Sequence, residues 1–339
     1  MPDRPVVAVA GATGAVGREM LLTLAQRAFP AEQVVALASS RSAGRVIPFG
    51  DGELTVQEMT ESSFDGVDIA LFSAGASVSK AMRGAVVGAG CVMIDNSSAF
   101  RMDEDVPLVV PEVNPEDIAW HSGVIANPNC STIQMVVVLK ALDEMAEIKR
   151  VVVSTYQAAS GAGQAAMDEL YEQSRDFLMG QELHVQQFAY RIAFNCIPQI
   201  DVFLDDRSTK EEWKMVVETQ KILHRPDLKV SATCVRVPVL RCHSEAINVE
   251  FAEPVFVGAA IETLENTQGV SVLDDPATRT YPMPALLETT DDVYVGRIRK
   301  DASVPHGLAM WIVADQLRKG AALNAVQIAE GLLGRNGAS

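Results

Sequence analysis

The chain has 339 residues, too many for one ordinary hydrophobic core and enough for two domains. Hydrophobic residues make up 48% and charged residues 21%, which argues against disorder except in the polar Arg335-Asn336-Gly337-Ala338-Ser339 tail. A net charge of −16 repels a phosphate backbone, so nucleic acid is set aside as a partner, and any anionic substrate requires a local cluster of Arg and Lys.

Met-Pro-Asp-Arg-Pro leads straight into a short apolar strand, Val6 to Ala10, without the apolar segment and cleavage site of a signal peptide. A Gly-rich turn follows, then a helical stretch from Ala15 to Ala28 and a second strand from Val34 to Ala38. Asp68 to Phe72 and Cys91 to Asp95 read as further strands, with a helix around Ser77 to Val87 between them. This alternation predicts a parallel sheet with helices on its faces. At Asn127-Pro128-Asn129-Cys130 the texture changes: Pro128 disfavours a helix at Asn127, and a strongly apolar helix then runs from Ser131 to Met145. We place the domain boundary here. Longer strands lie beyond it, at Arg150 to Tyr156, Lys229 to Val237, Ala246 to Phe251 and Val293 to Arg299. They are interleaved with helices at Gln164 to Met179, Ser208 to Leu223 and Val257 to Glu265, which predicts a mixed α+β second domain. Helical patterns at Ala314 to Lys319 and Ala325 to Leu333 close the chain.

No stretch approaches the ~20 apolar residues of a membrane-spanning helix, so no membrane partner is expected. The five cysteines are odd in number and lack metal-ligand spacing; free thiols in a reducing cytoplasm fit best, and no metal is expected.

Gly11-Ala12-Thr13-Gly14-Ala15-Val16-Gly17 joins the first strand to the first helix. Glycines there permit a tight turn and close approach of backbone to a pyrophosphate, which the helix N-terminus then favours. The spacing is G-x-x-G-x-x-G rather than G-x-G-x-x-G, and the pattern alone would equally suit an ordinary turn. Its strand–loop–helix setting points to a dinucleotide. After the second strand the chain reads Ser39-Ser40-Arg41-Ser42, with no carboxylate to meet a ribose 2′-OH. Arg41 and the hydroxyls would instead hold a 2′-phosphate, which favours NADP over NAD; a plain polar loop is the alternative.

Cys130 opens an apolar helix between the polar flanks Asn129, Ser131 and Thr132. A helix N-terminus favours the thiolate, the reactive form, whereas a lone Cys is more often buried and inert. Cys91, Cys196, Cys234 and Cys242 lie in apolar or strand-like runs and keep the inert reading. A thiol nucleophile needs a base. His243, in Arg241-Cys242-His243-Ser244-Glu245, stands between two strand patterns where a loop could point it into a cleft. The residues alone do not choose it over His306 in Pro305-His306-Gly307.

Taken in order, these segments resemble the aspartate-semialdehyde dehydrogenase family over nearly the whole chain. The resemblance rests on Gly11 to Gly17, Ser97-Ser98-Ala99-Phe100-Arg101, Val110-Pro111-Glu112-Val113-Asn114 and Asn127-Pro128-Asn129-Cys130-Ser131-Thr132. It continues in Tyr156-Gln157-Ala158-Ala159-Ser160-Gly161-Ala162-Gly163, Glu211-Glu212-Trp213-Lys214 and Arg236 to Glu245. It implies an N-terminal Rossmann-type NADP-binding domain over residues 1–129 and a mixed α+β catalytic and dimerisation domain over 130–314. A C-terminal helix over about 315–339 would pack back on the first domain. The implied reaction is reversible, NADPH-dependent reductive dephosphorylation of 4-phospho-L-aspartate to L-aspartate 4-semialdehyde, a step toward lysine (through diaminopimelate), threonine and methionine. By the same resemblance Cys130 attacks the carbonyl, His243 is the general acid/base and Gln157 orients the intermediate. Arg236 would hold the substrate carboxylate, Arg101 and Lys214 the phosphate, and Glu211 the amine, with Asn129 beside them. Gly11, Thr13, Gly14, Ala15, Val16, Arg41, Ser42, Ser160, Gly161 and Gln316 would line the cofactor. Inorganic phosphate and a second copy of the chain are the implied partners.

The chemistry suits those residue types. An aldehyde is a poor hydride donor until a thiolate converts it to a hemithioacetal, and the thioester left by hydride loss stays activated toward phosphate. Plainer readings exist for several positions. Ser208-Thr209-Lys210-Glu211 reads as a capping box and Glu211 with Lys214 as a helical i,i+3 pair. Arg236 could be a structural strand residue, Gln157 could serve a turn, and Arg101 could be a surface loop residue. Pro238 hides whether Arg236 and His243 share a face. Two rival functions remain: a reductase resembling N-acetyl-gamma-glutamyl-phosphate reductase, and a non-catalytic NADP-binding regulator.

Overall fold

The computed structural model describes residues 1–335; residues 336–339, most of the polar tail expected to be disordered, lie outside the described residues. In chain order the elements are β1 (Val6–Ala10), α1 (Ala15–Gln26), β2 (Gln33–Ala38), β3 (Val46–Phe49), β4 (Gly52–Thr55), β5 (Gln57–Glu58), β6 (Ile69–Phe72), α2 (Ala76–Gly88), β7 (Val92–Asp95) and β8 (Val124–Ala126). Then come α3 (Cys130–Met145), β9 (Ile148–Gln157), α4 (Gln164–Leu178), α5 (Lys210–Ile222), β10 (Lys229–Arg236), β11 (His243–Phe251) and α6 (Val257–Glu265). The last are β12 (Val270–Val272), β13 (Val293–Asp301), β14 (Gly307–Ala314) and α7 (Leu323–Leu332). Two compact units result: residues 1–129 with the chain from Gly320 onward, and Cys130–Lys319.

The first unit holds a parallel sheet in the order β5-β2-β1-β6-β7-β8. Numbering those strands along the chain gives 3-2-1-4-5-6, the doubly wound nucleotide-binding order. β1, β6 and β7 are almost wholly apolar, as strands covered on both faces must be. Met20, Leu21 and Leu24 of α1 share one core with Val326, Ile328 and Ala329 of α7 and with β1 and β6.

The second unit is built on a mixed sheet, β10-β9-β11-β14-β13-β12. α3 packs on β9, β11, β13 and β14. Its residues Ile133 to Leu139 are all buried, the polar Gln134 among them, so it is enclosed on every side and forms the centre of this unit. The opposite face of the sheet leaves Tyr156 exposed and Trp311 half-buried, their rings 5.2 Å apart.

Three expectations change. Ala314 ends strand β14 rather than starting a helix, and the helical chain begins with a π-turn at Arg318–Ala322 before α7. Gly307–Ala314 is a central strand buried on both faces, so it shows no alternation to read. The capping box falls one residue later than expected: the Thr209 hydroxyl accepts from Glu212 N–H and the Glu212 carboxylate accepts from Thr209 N–H. Cys196 is exposed, because Ile197 pairs with Arg236 in an isolated bridge and turns its neighbour outward.

Candidate active site

In the first unit, Gly11 leaves β1 with φ +87°, and a Cβ there would lie 2.4 Å from the Ser73 carbonyl oxygen. Only glycine fits. The Gly11 and Ala12 N–H groups donate to the Leu37 carbonyl at 2.9 and 3.0 Å, which holds the loop at the carboxyl end of the sheet. Gly14 caps α1 with no side-chain bond, and no acidic residue stands in the first turn. Amide donors of that turn are therefore directed at whatever anion the loop receives. β2 leads into a single turn at Ser40–Ser42 with an exposed Arg41, and the Thr13 hydroxyl donates to Ser42 Oγ at 3.4 Å. Close backbone approach, an open helix N-terminus and the lack of a carboxylate fit a dinucleotide.

Arg101 is not a surface residue. It is buried, with Nε donating to the Asn127 carbonyl and Nη2 to the Asn96 carbonyl, both at 3.0 Å. These carbonyls fix the orientation of the guanidinium. Asn129 is buried in the same unit, next to Cys130 in sequence.

The second unit gathers most of the remaining positions. Cys130 is the first residue of α3 and half-buried. Gln157 and Arg236 end β9 and β10 and are direct parallel partners. His243 is the first residue of β11 and fully buried, so a strand end presents it rather than a loop. Its Nδ1 accepts from Ala158 N–H at 3.0 Å, and Arg236 Nη1 donates to the Ala158 carbonyl at 2.6 Å. Arg236 and His243 thus share a face across the break at Pro238, both turned toward Gly161. A Cβ on Gly161 would lie 2.8 Å from Arg236 Nη1 and 3.0 Å from His243 Nε2. His243 Nε2 is buried without a hydrogen-bond partner.

Burial, then the Arg236 cation, holds the His243 imidazole neutral well below its ordinary range, against a Cys242 backbone hydrogen bond that favours the cation. Arg236 itself is lowered by burial, with the Glu211 carboxylate pulling the other way. Glu211 and Lys214 pair at 3.1 Å as expected for i,i+3. Asp201, which no sequence signal indicated, also holds Lys214 at 2.8 Å. Burial would lower Lys214, but these two carboxylates outweigh it and its pKa is raised. Gln157 Nε2 donates to Thr155 Oγ1 and Glu211 Oε1, each at 3.3 Å. Gln316 bonds protein at both ends: Oε1 accepts from Cys242 N–H at 2.8 Å and Nε2 donates to Ser160 Oγ.

The other thiols are poor nucleophiles or lie elsewhere. Burial pushes Cys91 up to about 12 and raises Cys234 and Cys242 further. His306 sits in the turn between β13 and β14. Ala158, Gln134 and Glu245 were missed by the sequence reading. An alanine carries no side-chain signal, Gln134 sits within an apolar helical run, and Glu245 stands in a polar stretch where a carboxylate reads as an ordinary exposed strand residue.

The profile of the semialdehyde dehydrogenase NAD binding domain matches residues 6–121, and that of the semialdehyde dehydrogenase dimerisation domain matches residues 139–319. The chain is 55% identical over 328 residues to the aspartate-semialdehyde dehydrogenase of Aquifex aeolicus, covering 96% of each. It is similar to the crystal structure of aspartate semialdehyde dehydrogenase II complexed with ASA from Vibrio cholerae, with a TM-score of 0.95, 47% identity and coverage of 97% of this chain and 98% of that one. The Candida albicans aspartate semialdehyde dehydrogenase with NADP superposes with a TM-score of 0.77 at 28% identity, covering 98% and 99%.

Proposed function

This chain belongs to the aspartate-semialdehyde dehydrogenase family of oxidoreductases, and we propose that it interconverts 4-phospho-L-aspartate and L-aspartate 4-semialdehyde through a thioester on Cys130. The observation that carries this reading is the convergence of the Arg236 guanidinium and the His243 imidazole on Gly161, in the unit where Cys130 opens α3.

In the oxidative direction the Cys130 thiolate attacks the aldehyde carbon and forms a hemithioacetal. A bound NADP supplies the hydride acceptor. The resulting thioester is attacked by phosphate, and Cys130 leaves as thiolate while acyl phosphate departs. His243 has two stations for this work. With Nδ1 taking the Ala158 N–H, its Nε2–H can hold the oxygen of a tetrahedral adduct. With the ring proton on Nδ1 instead, Nε2 can take the thiol or hemithioacetal proton. Gln157 orients the adduct, Arg236 receives the substrate carboxylate and Glu211 the amine. Arg101, Lys214 and Asn129 serve phosphate and substrate, and the Arg101 and Arg236 guanidiniums supply the local positive charge that an anionic substrate needs in a −16 chain.

For the cofactor we favour NADP over NAD, with Arg41, Ser42 and Thr13 holding the 2′-phosphate end. Gly11, Gly14, Ala15 and Val16 approach the pyrophosphate, and Ser160, Gly161 and Gln316 complete the cofactor lining. A homodimer would cover the sheet face that exposes Tyr156 beside Trp311. No helix among the described residues is long and apolar enough to cross a membrane, and we assign the reaction to the cytoplasm.

Phosphate-dependent NADP+ reduction with L-aspartate 4-semialdehyde tests the reading. A higher rate with the N-acetylated glutamate semialdehyde would transfer the chain to the rival reductase. A Cys130→Ala variant that keeps full turnover would remove the thioester.

A further inference from the structure

Glu245 lies two residues beyond His243 on β11, so both side chains project from the same face of the strand, toward α3. It is fully buried, makes no ion pair, and neither carboxyl oxygen has a hydrogen-bond partner among the described residues. Its cross-strand neighbours, Thr155 and Ile312, carry no charge. The polar group set against it is the Gln134 carboxamide of α3, whose Oε1 is likewise without a partner and whose Nε2 donates to the His243 carbonyl at 3.5 Å. Cys130 stands one helical turn before Gln134. The ionisable groups around Glu245 are the buried Cys234 thiol of β10 and His243 on its own strand, with Glu211 and Glu212 of α5 beyond Cys234.

A carboxylate in this place would have no cation and at most one amide N–H, from Gln134, and would face the unpartnered Gln134 Oε1. A carboxylic acid satisfies everything at once. Its O–H donates to Gln134 Oε1 and its C=O takes the remaining Gln134 N–H, so two orphaned groups become one cyclic pair. That pair joins the first turns of the Cys130 helix to the strand start that carries His243. Burial acts in the same direction, holding the Glu245 proton well above the ordinary carboxylate range, with Gln134 moderating it.

We propose that Glu245 works as a neutral carboxylic acid paired with Gln134, a positioning device that sets the Cys130 helix against the His243 strand. This rests on the reading of Cys130 and His243 as the reacting pair. Neutrality matters to that pair: a carboxylate beneath the imidazole would favour the imidazolium and oppose a thiolate nearby.

Infrared difference spectroscopy of the whole enzyme tests the protonation state directly. A protonated-carboxyl band at neutral pH that is lost in Glu245→Gln is the expected result; absence of that band in the wild type overturns the proposal. In turnover, Glu245→Ala should lower kcat at least ~10-fold and Glu245→Gln should recover most of that loss. The alkaline limb of the wild-type kcat profile should move to higher pH in Glu245→Gln, because no acid remains to ionise; an unmoved limb also overturns the proposal. Mass spectrometry of Cys130 after incubation with aldehyde and NADP+ but no phosphate separates the two layers. An unacylated Cys130 in the wild type defeats the catalytic reading. An acylated Cys130 with unaltered Glu245 variants defeats only the positioning role.

Discussion

Ala158 donates its N–H to His243 Nδ1 at 3.0 Å, and that bond favours the ring tautomer with its proton on Nε2. The Ala158 carbonyl meanwhile accepts from Arg236, so one residue with no functional side chain aims both groups. Nitrogen NMR of the resting enzyme should report a neutral His243 protonated at Nε2. Ala158 has φ −67°, which proline can adopt, so Ala158→Pro removes the donor without straining φ. We expect kcat to fall on the order of 100-fold, the cost of a catalytic group misplaced by about 1 Å. Unchanged turnover would show that the bond does not orient the ring.

Gly161→Ala is expected to damage turnover while sparing the fold. Gly161 is not in the left-handed region, so its backbone accepts alanine. The methyl, however, would meet Arg236 Nη1 at 2.8 Å and His243 Nε2 at 3.0 Å. One or both must move. A loss in kcat/KM of about 100-fold or more, with a melting temperature near that of the wild type, is the expected signature. Wild-type kinetics would mean that the two groups tolerate displacement.

Removing the Arg236 cation should raise the His243 pKa. Burial is the largest cause of the depression and Arg236 the next, so Arg236→Gln relieves only part of it. NMR titration of His243 in the Cys130→Ala background should show the midpoint shifting upward, toward 6.5, when Arg236 is replaced. The acid limb of kcat/KM should move the same way. A downward shift would contradict the assigned coupling.

Glu245 should leave a mark on stability with a definite sign. Its folded pKa lies above the unfolded reference of 4.5, so the native state keeps a proton that the unfolded chain releases. Stability from this group is fully present below pH 4.5 and declines as pH rises toward the folded value, by about 1.4 kcal/mol per pH unit. Glu245→Gln lacks this loss. In urea, its stability advantage over the wild type should therefore widen between pH 4.5 and 7; a constant gap would mean that Glu245 is ionised when folded.

Much of this was legible in the chain because local physics and the fold agreed. The Gly11 turn, the carboxylate-free end of β2 and Cys130 at a helix start each leave a direct sequence trace. Arg236 and His243 did not, because Pro238 breaks the alternation between them and only the closed turn shows that both face Gly161. Strand β14 was hidden by its own burial, and Asp201 by an irregular loop in which Lys214 finds its second carboxylate. Glu245 was invisible for a different reason: a buried neutral acid occupies the place of an apolar strand residue, and nothing in spacing reveals its protonation.

Gln316 provides the last test, since its carboxamide bridges two segments that carry site residues. Its Oε1 holds the Cys242 N–H, and Cys242 is a non-glycine residue at φ +70°, directly before His243. Such a backbone persists only where its surroundings fix it. At the other end Nε2 binds the Ser160 hydroxyl, next to Gly161. Gln316→Ala orphans a buried N–H and releases that loop, which should cost about 1–3 kcal/mol in denaturant unfolding. If Gln316 also touches the cofactor, KM for NADPH rises as well. If it acts only through Cys242 and Ser160, kcat falls while KM for NADPH holds, and a Gln316→Glu variant, which keeps the acceptor for Cys242, should recover part of the stability. Wild-type stability in the alanine variant would show that the left-handed Cys242 is fixed by something else.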